Sequence, residues 1–169
     1  NPHQLSAIYS TGTNNDLNLI HGKQLSYNNY NDIFNAINIS KSLPKDKGTV
    51  IIKHTNPCGV SAKSDHLESY KSALSCDPTS AFGGIIFFNF KVTKNLANEL
   101  NKLFLEVIIA KGFDNNAIKI LKSKKNLRLI DATNYSLNKT HRINSFNKNI
   151  LVQSDDLNIF SKNNFKVVS

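Results

Sequence analysis

The sequence predicts an α/β protein built in layers, and three observations carry that reading. Short apolar runs alternate with stretches of helical periodicity, the pattern of strand-helix-strand units that build a parallel sheet. Gly84-Ile85-Ile86-Phe87-Phe88 is continuously apolar, as a strand covered on both faces would be. Helix-opening residues, Asp65, Thr93 and Asp114, stand just ahead of the periodic stretches. A chain of 169 residues is long enough to bury one substantial core.

Residues 32–43 read as a helix presenting Ile33, Phe34 and Ile37 inward. Thr49-Val50-Ile51-Ile52-Lys53 is the first clear strand, with a loop after it. Asp65, with Glu68 three residues later, resembles a capping box, and Leu67, Tyr70 and Leu74 line one face of the helix behind it. Gly84 to Phe88 form the next strand. Thr93 then caps a helix whose stripe is Leu96, Leu100, Leu103 and Phe104, as wide as a core-facing helix needs. Glu106-Val107-Ile108-Ile109-Ala110 is a third strand, Asp114 opens a helix through Ala117, Ile118 and Leu121, and Leu127-Arg128-Leu129-Ile130 is a fourth strand. Residues 134–148 are polar and read as a long excursion. Ile150-Leu151-Val152 is a last short strand, followed by a helix from Asp155.

Composition narrows the function classes without naming one. The formal charge of +9 draws the chain toward anions, but it does not choose among nucleic acids, phosphorylated metabolites and acidic surfaces. Its lysines are scattered and aromatics do not interleave with them, so a solvated surface is expected over a nucleic-acid groove. Cys58 and Cys76 are too few for a cysteine metal cluster or a disulfide framework, which fits a reduced, cytoplasmic setting. No apolar run approaches the roughly 20 residues needed to span a bilayer. The sequence starts without Met and without the regions of a signal peptide, so a piece of a longer chain is expected.

Chemistry concentrates in two clusters. Ligands in open α/β sheets bind just past the carboxyl ends of strands, and the first strand ends at Lys53-His54, ahead of Thr55-Asn56-Pro57-Cys58-Gly59. A histidine there can take a proton from an attacking nucleophile, and a neighbouring lysine can stabilise developing negative charge. A capped strand end with a solvated lysine accounts for the same spacing. The second cluster, Asp77-Pro78-Thr79-Ser80-Ala81-Phe82-Gly83-Gly84, spends two glycines where the backbone bends or approaches a ligand closely, and a plain turn explains much of it. Cys58 is either a nucleophile or a small packed thiol. His66-Leu67-Glu68 matches half of a zinc-deaminase signature, but only Cys76 follows where two cysteines are needed. A zinc site is therefore rejected.

Five stretches, in order, carry a family resemblance. Asn1-Pro2-His3-Gln4, Gly22-Lys23-Gln24-Leu25-Ser26-Tyr27-Asn28-Asn29, Lys53-His54-Thr55-Asn56-Pro57-Cys58-Gly59, the Asp77 to Gly84 cluster and Glu106-Val107-Ile108-Ile109-Ala110 together resemble AICAR transformylase. Leu151-Val152-Gln153 and the closing Phe165-Lys166-Val167-Val168-Ser169 are also similar, so the resemblance runs nearly from end to end. It implies transfer of a formyl group from 10-formyltetrahydrofolate to the 5-amino group of AICAR, on the route to IMP. It assigns His54 as general base, Lys53 as its partner at the tetrahedral transition state, and Gly83 and Glu106 as substrate-contacting positions. Asn29 falls in a motif beside that site. The family fold resembles cytidine deaminases without their zinc, and its complete enzyme is a homodimer that also carries an IMP cyclohydrolase domain; no metal, nucleic acid or membrane is implied.

The resemblance makes residues 1–169 the N-terminal part of the transformylase domain, incomplete at both ends and expected to be inactive alone. An Arg-Tyr-Gly-Glu run would precede Asn1, and a further catalytic Asn would follow Ser169. Lys111 stands where the family commonly has Pro, and Ser145-Phe146-Asn147 where it often has glycines. The competing reading is a non-catalytic nucleotide-binding module or decayed homologue, which would have no need to keep both Lys53 and His54.

Overall fold

The computed structural model describes residues 3–9, 17–135 and 141–154. The chain divides into two compact units, Asn1–Tyr135 and Ser136–Ser169. The first holds β1 (Asn18–His21), α1 (Tyr27–Ser40), β2 (Gly48–Lys53), β3 (Asn56–Ala62), α2 (His66–Cys76), α3 (Pro78–Ala81), β4 (Ile85–Phe88), α4 (Lys94–Leu100), β5 (Val107–Ala110), α5 (Asn115–Leu121) and β6 (Arg128–Asp131). The second holds β7 (His141–Phe146) and β8 (Asn149–Ser154).

The strands of the first unit form one six-stranded sheet in the order β1-β6-β5-β4-β2-β3. β4, β5 and β6 are parallel, as the alternation of strands and helices predicts. The expectation of a parallel sheet fails elsewhere: β2 runs antiparallel to both β3 and β4, and β1 antiparallel to β6. β2 and β3 are joined by a two-residue turn, far too short for the crossover that a parallel pair requires.

Successive strand residues point to opposite faces, and the sheet sorts its apolar side chains accordingly. Val50, Ile52, Ile85, Phe87, Val107, Ile109 and Ile130 face α1, which covers them with Ile33, Ala36 and Ile37. Ile51, Ile86, Phe88, Ile108 and Leu129 face the other way, where Tyr70 and Ala73 of α2, Leu96 and Leu100 of α4 and Leu121 of α5 close over them. The result is three layers, α/β/α. Each fully buried Ile, Leu or Phe contributes about 1.5–3 kcal/mol, so these two faces carry most of the stability.

Several elements differ from their sequence readings, each for a visible reason. α1 begins at Tyr27, well before Asp32, because Ser26 and Asn29 form a reciprocal capping box with Asn in place of the usual Glu or Gln. Phe34 is 40% exposed, on the flank of α1 and outside the core. α4 stops at Leu100, so Leu103 and Phe104 leave the helix stripe, and Phe104 packs on Phe82 with ring centroids 5.1 Å apart. The loop expected after Lys53 is strand β3. Pro57 is tolerated there because β3 is an edge strand and the register shifts between Ile51 and Ile52, leaving Cys58 as the extra residue of a bulge. β1 is too short to leave a periodic signal in the sequence and is a strand because it pairs antiparallel with β6. Within 134–148, residues His141–Phe146 pair with β8 to form a hairpin whose Asn147 has φ 53°, a left-handed conformation that Asn tolerates where glycine is usual. Lys111 N donates to Phe88 O at 3.2 Å, a bond a proline there could not make. The helix expected from Asp155 and the closing Phe165 to Ser169 stretch lie outside the described residues, as do Asn1 and Pro2.

Candidate functional site

Lys53 ends β2, and His54-Thr55 is the two-residue turn that returns the chain as β3, with Lys53 paired to Asn56. Both turn residues are left-handed, His54 at φ 54° and Thr55 at φ 64°. A turn with two such residues suits the twist of a hairpin but normally takes Asn-Gly. Histidine tolerates this conformation better than most side chains, but β-branched threonine does not, costing roughly 1–3 kcal/mol unless neighbours over-determine the conformation. Three hydrogen bonds do so. Thr55 Oγ1 and Asn56 Nδ2 donate to His54 O, at 2.6 and 3.0 Å, and Thr55 N donates to Asp32 Oδ1 of α1 at 2.7 Å. The turn carries an exposed His54 at the rim of the sheet.

The second cluster meets the first through Lys53, whose Nζ donates to Phe82 O at 2.8 Å. An ammonium has three donors, so this bond leaves two for a substrate oxygen. Asp77 caps α3, accepting from Ser80 N at 2.9 Å with Pro78 just inside the helix. Its hydrogen bonds with Ser80 hold the Asp77 carboxyl below the usual carboxylate range. Gly83 follows at φ +73°, the left-handed value that explains a glycine, and its N donates to Phe104 O at 2.8 Å. Gly84 O accepts from Glu106 N at 3.0 Å, which sets Glu106 beside the cluster at the mouth of β5.

Glu106 is exposed, and its Oε2 accepts from Asn29 Nδ2 at 3.1 Å. Asn29 is 3% exposed, and its Oδ1 accepts from Ser26 N at 3.1 Å. One buried side chain thus caps α1 and orients the carboxylate of Glu106. The structure links Lys53 to the backbone beside Gly83, sets Glu106 next to that segment, puts His54 next to Lys53 at the turn, ties Asn29 of the resembling motif to Glu106, and adds Asp32. Nothing local in the sequence signals Asp32, because its partner lies 23 residues on in another element.

This cluster does not obey the rule that sites lie at the carboxyl edge of a parallel sheet. Lys53 and His54 follow the carboxyl end of β2, but Gly83, Gly84 and Glu106 precede the amino ends of β4 and β5. The two coincide in space because β2 is antiparallel to β4 and pairs Ile52 with Ile85.

Cys58 resolves as a packed thiol. It is half-buried against the helix-covered core, and burial first, then the Asp77 carboxylate, pushes its pKa up, away from the thiolate a nucleophile needs. His66 stacks on Phe90, centroids 3.8 Å apart, with its Nε2 2.9 Å from Asp46 O. Among the described residues no group of three or more His, Cys, Asp or Glu side chains could hold a metal ion. An open groove of about 300 Å³ between residues 6–8 and α1, lined by Leu25, Tyr27, Tyr30 and Phe34, includes none of the clustered residues. No helix among the described residues is long and apolar enough to cross a membrane.

Residues 1–169 match the family described as the AICARFT/IMPCHase bienzyme. The chain belongs to this family. Among curated relatives, the bifunctional purine biosynthesis protein PurH of Caldicellulosiruptor bescii is 45% identical over 92% of this chain and 32% of its own length. PurH of Acetivibrio thermocellus is 38% identical over 100% of this chain and 34% of its own. PurH of Bacillus cereus strain AH187 is 40% identical over 92% of this chain and 32% of its own. The chain therefore spans about a third of the length of these AICARFT/IMPCHase relatives.

Proposed function

We propose that this chain is part of an enzyme that transfers the formyl group of 10-formyltetrahydrofolate to the 5-amino group of AICAR, in purine biosynthesis. Membership of the AICARFT/IMPCHase family supports the reaction class. The observation that carries the reading is the convergence of Lys53, His54, Gly83 and Glu106, from three separate segments, on one rim of the sheet. His54 takes the proton of the amine as its nitrogen bonds to the formyl carbon. The Lys53 ammonium faces the oxygen that becomes negative, and the bond from formyl carbon to folate nitrogen then breaks, that nitrogen leaving with the proton that His54 took from the amine. Glu106, oriented by Asn29, and the backbone at Gly83 hold the nucleotide.

The reaction needs no metal, and the layered fold fits a cytidine deaminase-like architecture without zinc. The complete protein is proposed to be a cytoplasmic homodimer that also has IMP cyclohydrolase activity, acting on small molecules and not on nucleic acid or membranes.

In the complete protein that contains this segment, His54→Ala should lower kcat by about 10²- to 10⁴-fold, the usual contribution of a positioned base. Tetrahydrofolate release with both substrates present measures it. A wild type that binds AICAR but shows no turnover would instead establish the nucleotide-binding module.

A further inference from the structure

We propose that Asp32 is a positioning residue for His54, clamping the His54-Thr55 turn in its left-handed conformation so that the imidazole is presented ready-placed. The inference rests on the reading of His54 as the base. The turn is strained by its own sequence at the β-branched Thr55, φ 64°, which follows His54 at φ 54°. Two of its hydrogen bonds, from Thr55 Oγ1 and Asn56 Nδ2, end on His54 O and travel with the turn wherever it goes. The bond from Thr55 N to Asp32 Oδ1, at 2.7 Å, comes from a different element and gives the turn a fixed reference.

That reference is rigid. Asp32 is half-buried and precedes Ile33, which is 0% exposed under the sheet. It also sits three residues after Asn29, so both lie on one face of α1. Asn29 holds Glu106 at 3.1 Å while Asp32 holds the turn. A single helical turn therefore registers the base against the carboxylate proposed to bind the nucleotide. An ionised acceptor strengthens the bond, and a turn released by a missing acceptor would relax toward conformations that its side chains prefer.

The test compares variants in the complete protein. Asp32→Ala should lower kcat roughly ten- to a hundredfold, the loss that a misplacement of about 1 Å produces, with KM for AICAR little changed. Asp32→Asn, whose amide oxygen can accept the same bond, should keep most of the activity. Thr55→Gly added to Asp32→Ala should restore much of it, because glycine adopts the left-handed turn without strain. A kcat for Asp32→Ala within about threefold of wild type, short of the roughly tenfold loss expected of a misplaced base, would overturn the proposal, as would equal losses for Ala and Asn with no recovery from glycine, because the retained acceptor and the relieved turn would then make no difference. His54→Ala in the same assay separates this outcome from failure of the catalytic reading. If that variant turns over normally, hydrogen exchange of the Thr55 amide still decides the clamp. Exchange at least about tenfold faster in Asp32→Ala supports it, and unchanged exchange overturns it.

Discussion

A methyl group added at Gly59 would lie 1.8 Å from Ala73 O, so β3 and α2 approach as closely as only a glycine allows. Gly59→Ala should therefore push α2 off the sheet and destabilise by about 1–3 kcal/mol, the scale of overpacking, read as a lower urea midpoint. Gly83 makes the instructive contrast: its nearest neighbour would be the Phe104 ring at 3.5 Å, so room is ample and φ +73° is what demands glycine. At this scale Lys53, His54 and Gly83 stand out because each sits in a dense local motif, while Glu106 is singled out through the family resemblance. Asp32 does not stand out, since its role is a hydrogen bond to a backbone distant in sequence, and an isolated Asp on a helix carries no mark of that.

Helix α1 shows how one element serves both stability and the site. Its Ser26 Oγ accepts from Asn29 N at 3.2 Å while Asn29 Oδ1 accepts from Ser26 N, a capping box whose second member also reaches Glu106. Ser26→Ala should cost about 1 kcal/mol of stability, and Ser26→Asp should recover it, as thermal unfolding will show. The box escaped the sequence reading because Asn replaces Glu or Gln at its second position. β3 escaped for a related reason: Pro57 and Gly59 are loop signals, and only the bulge, the free edge and the close approach of α2 make them strand residues. β4 and β5, buried on both faces, left no such ambiguity.

Both buried clusters, one on each side of the sheet, lie wholly within the first unit. Residues 1–135 expressed alone should therefore unfold in one cooperative urea transition, with coincident fluorescence and circular-dichroism midpoints; separate midpoints would show that the two faces do not form one folding unit. By itself the sequence determined the alternation of strands and helices, the buried central strands, the motif residues and the family, because period, capping and local composition are properties of neighbours in the chain. Tertiary structure alone decided that β2 reverses direction against β4, that Lys53 thereby reaches Phe82 O, next to Gly83, from the opposite strand end, and that Asp32 accepts from the turn. Those outcomes depend on which strand edges pair and which backbone groups find partners far away in sequence, and no local pattern encodes either.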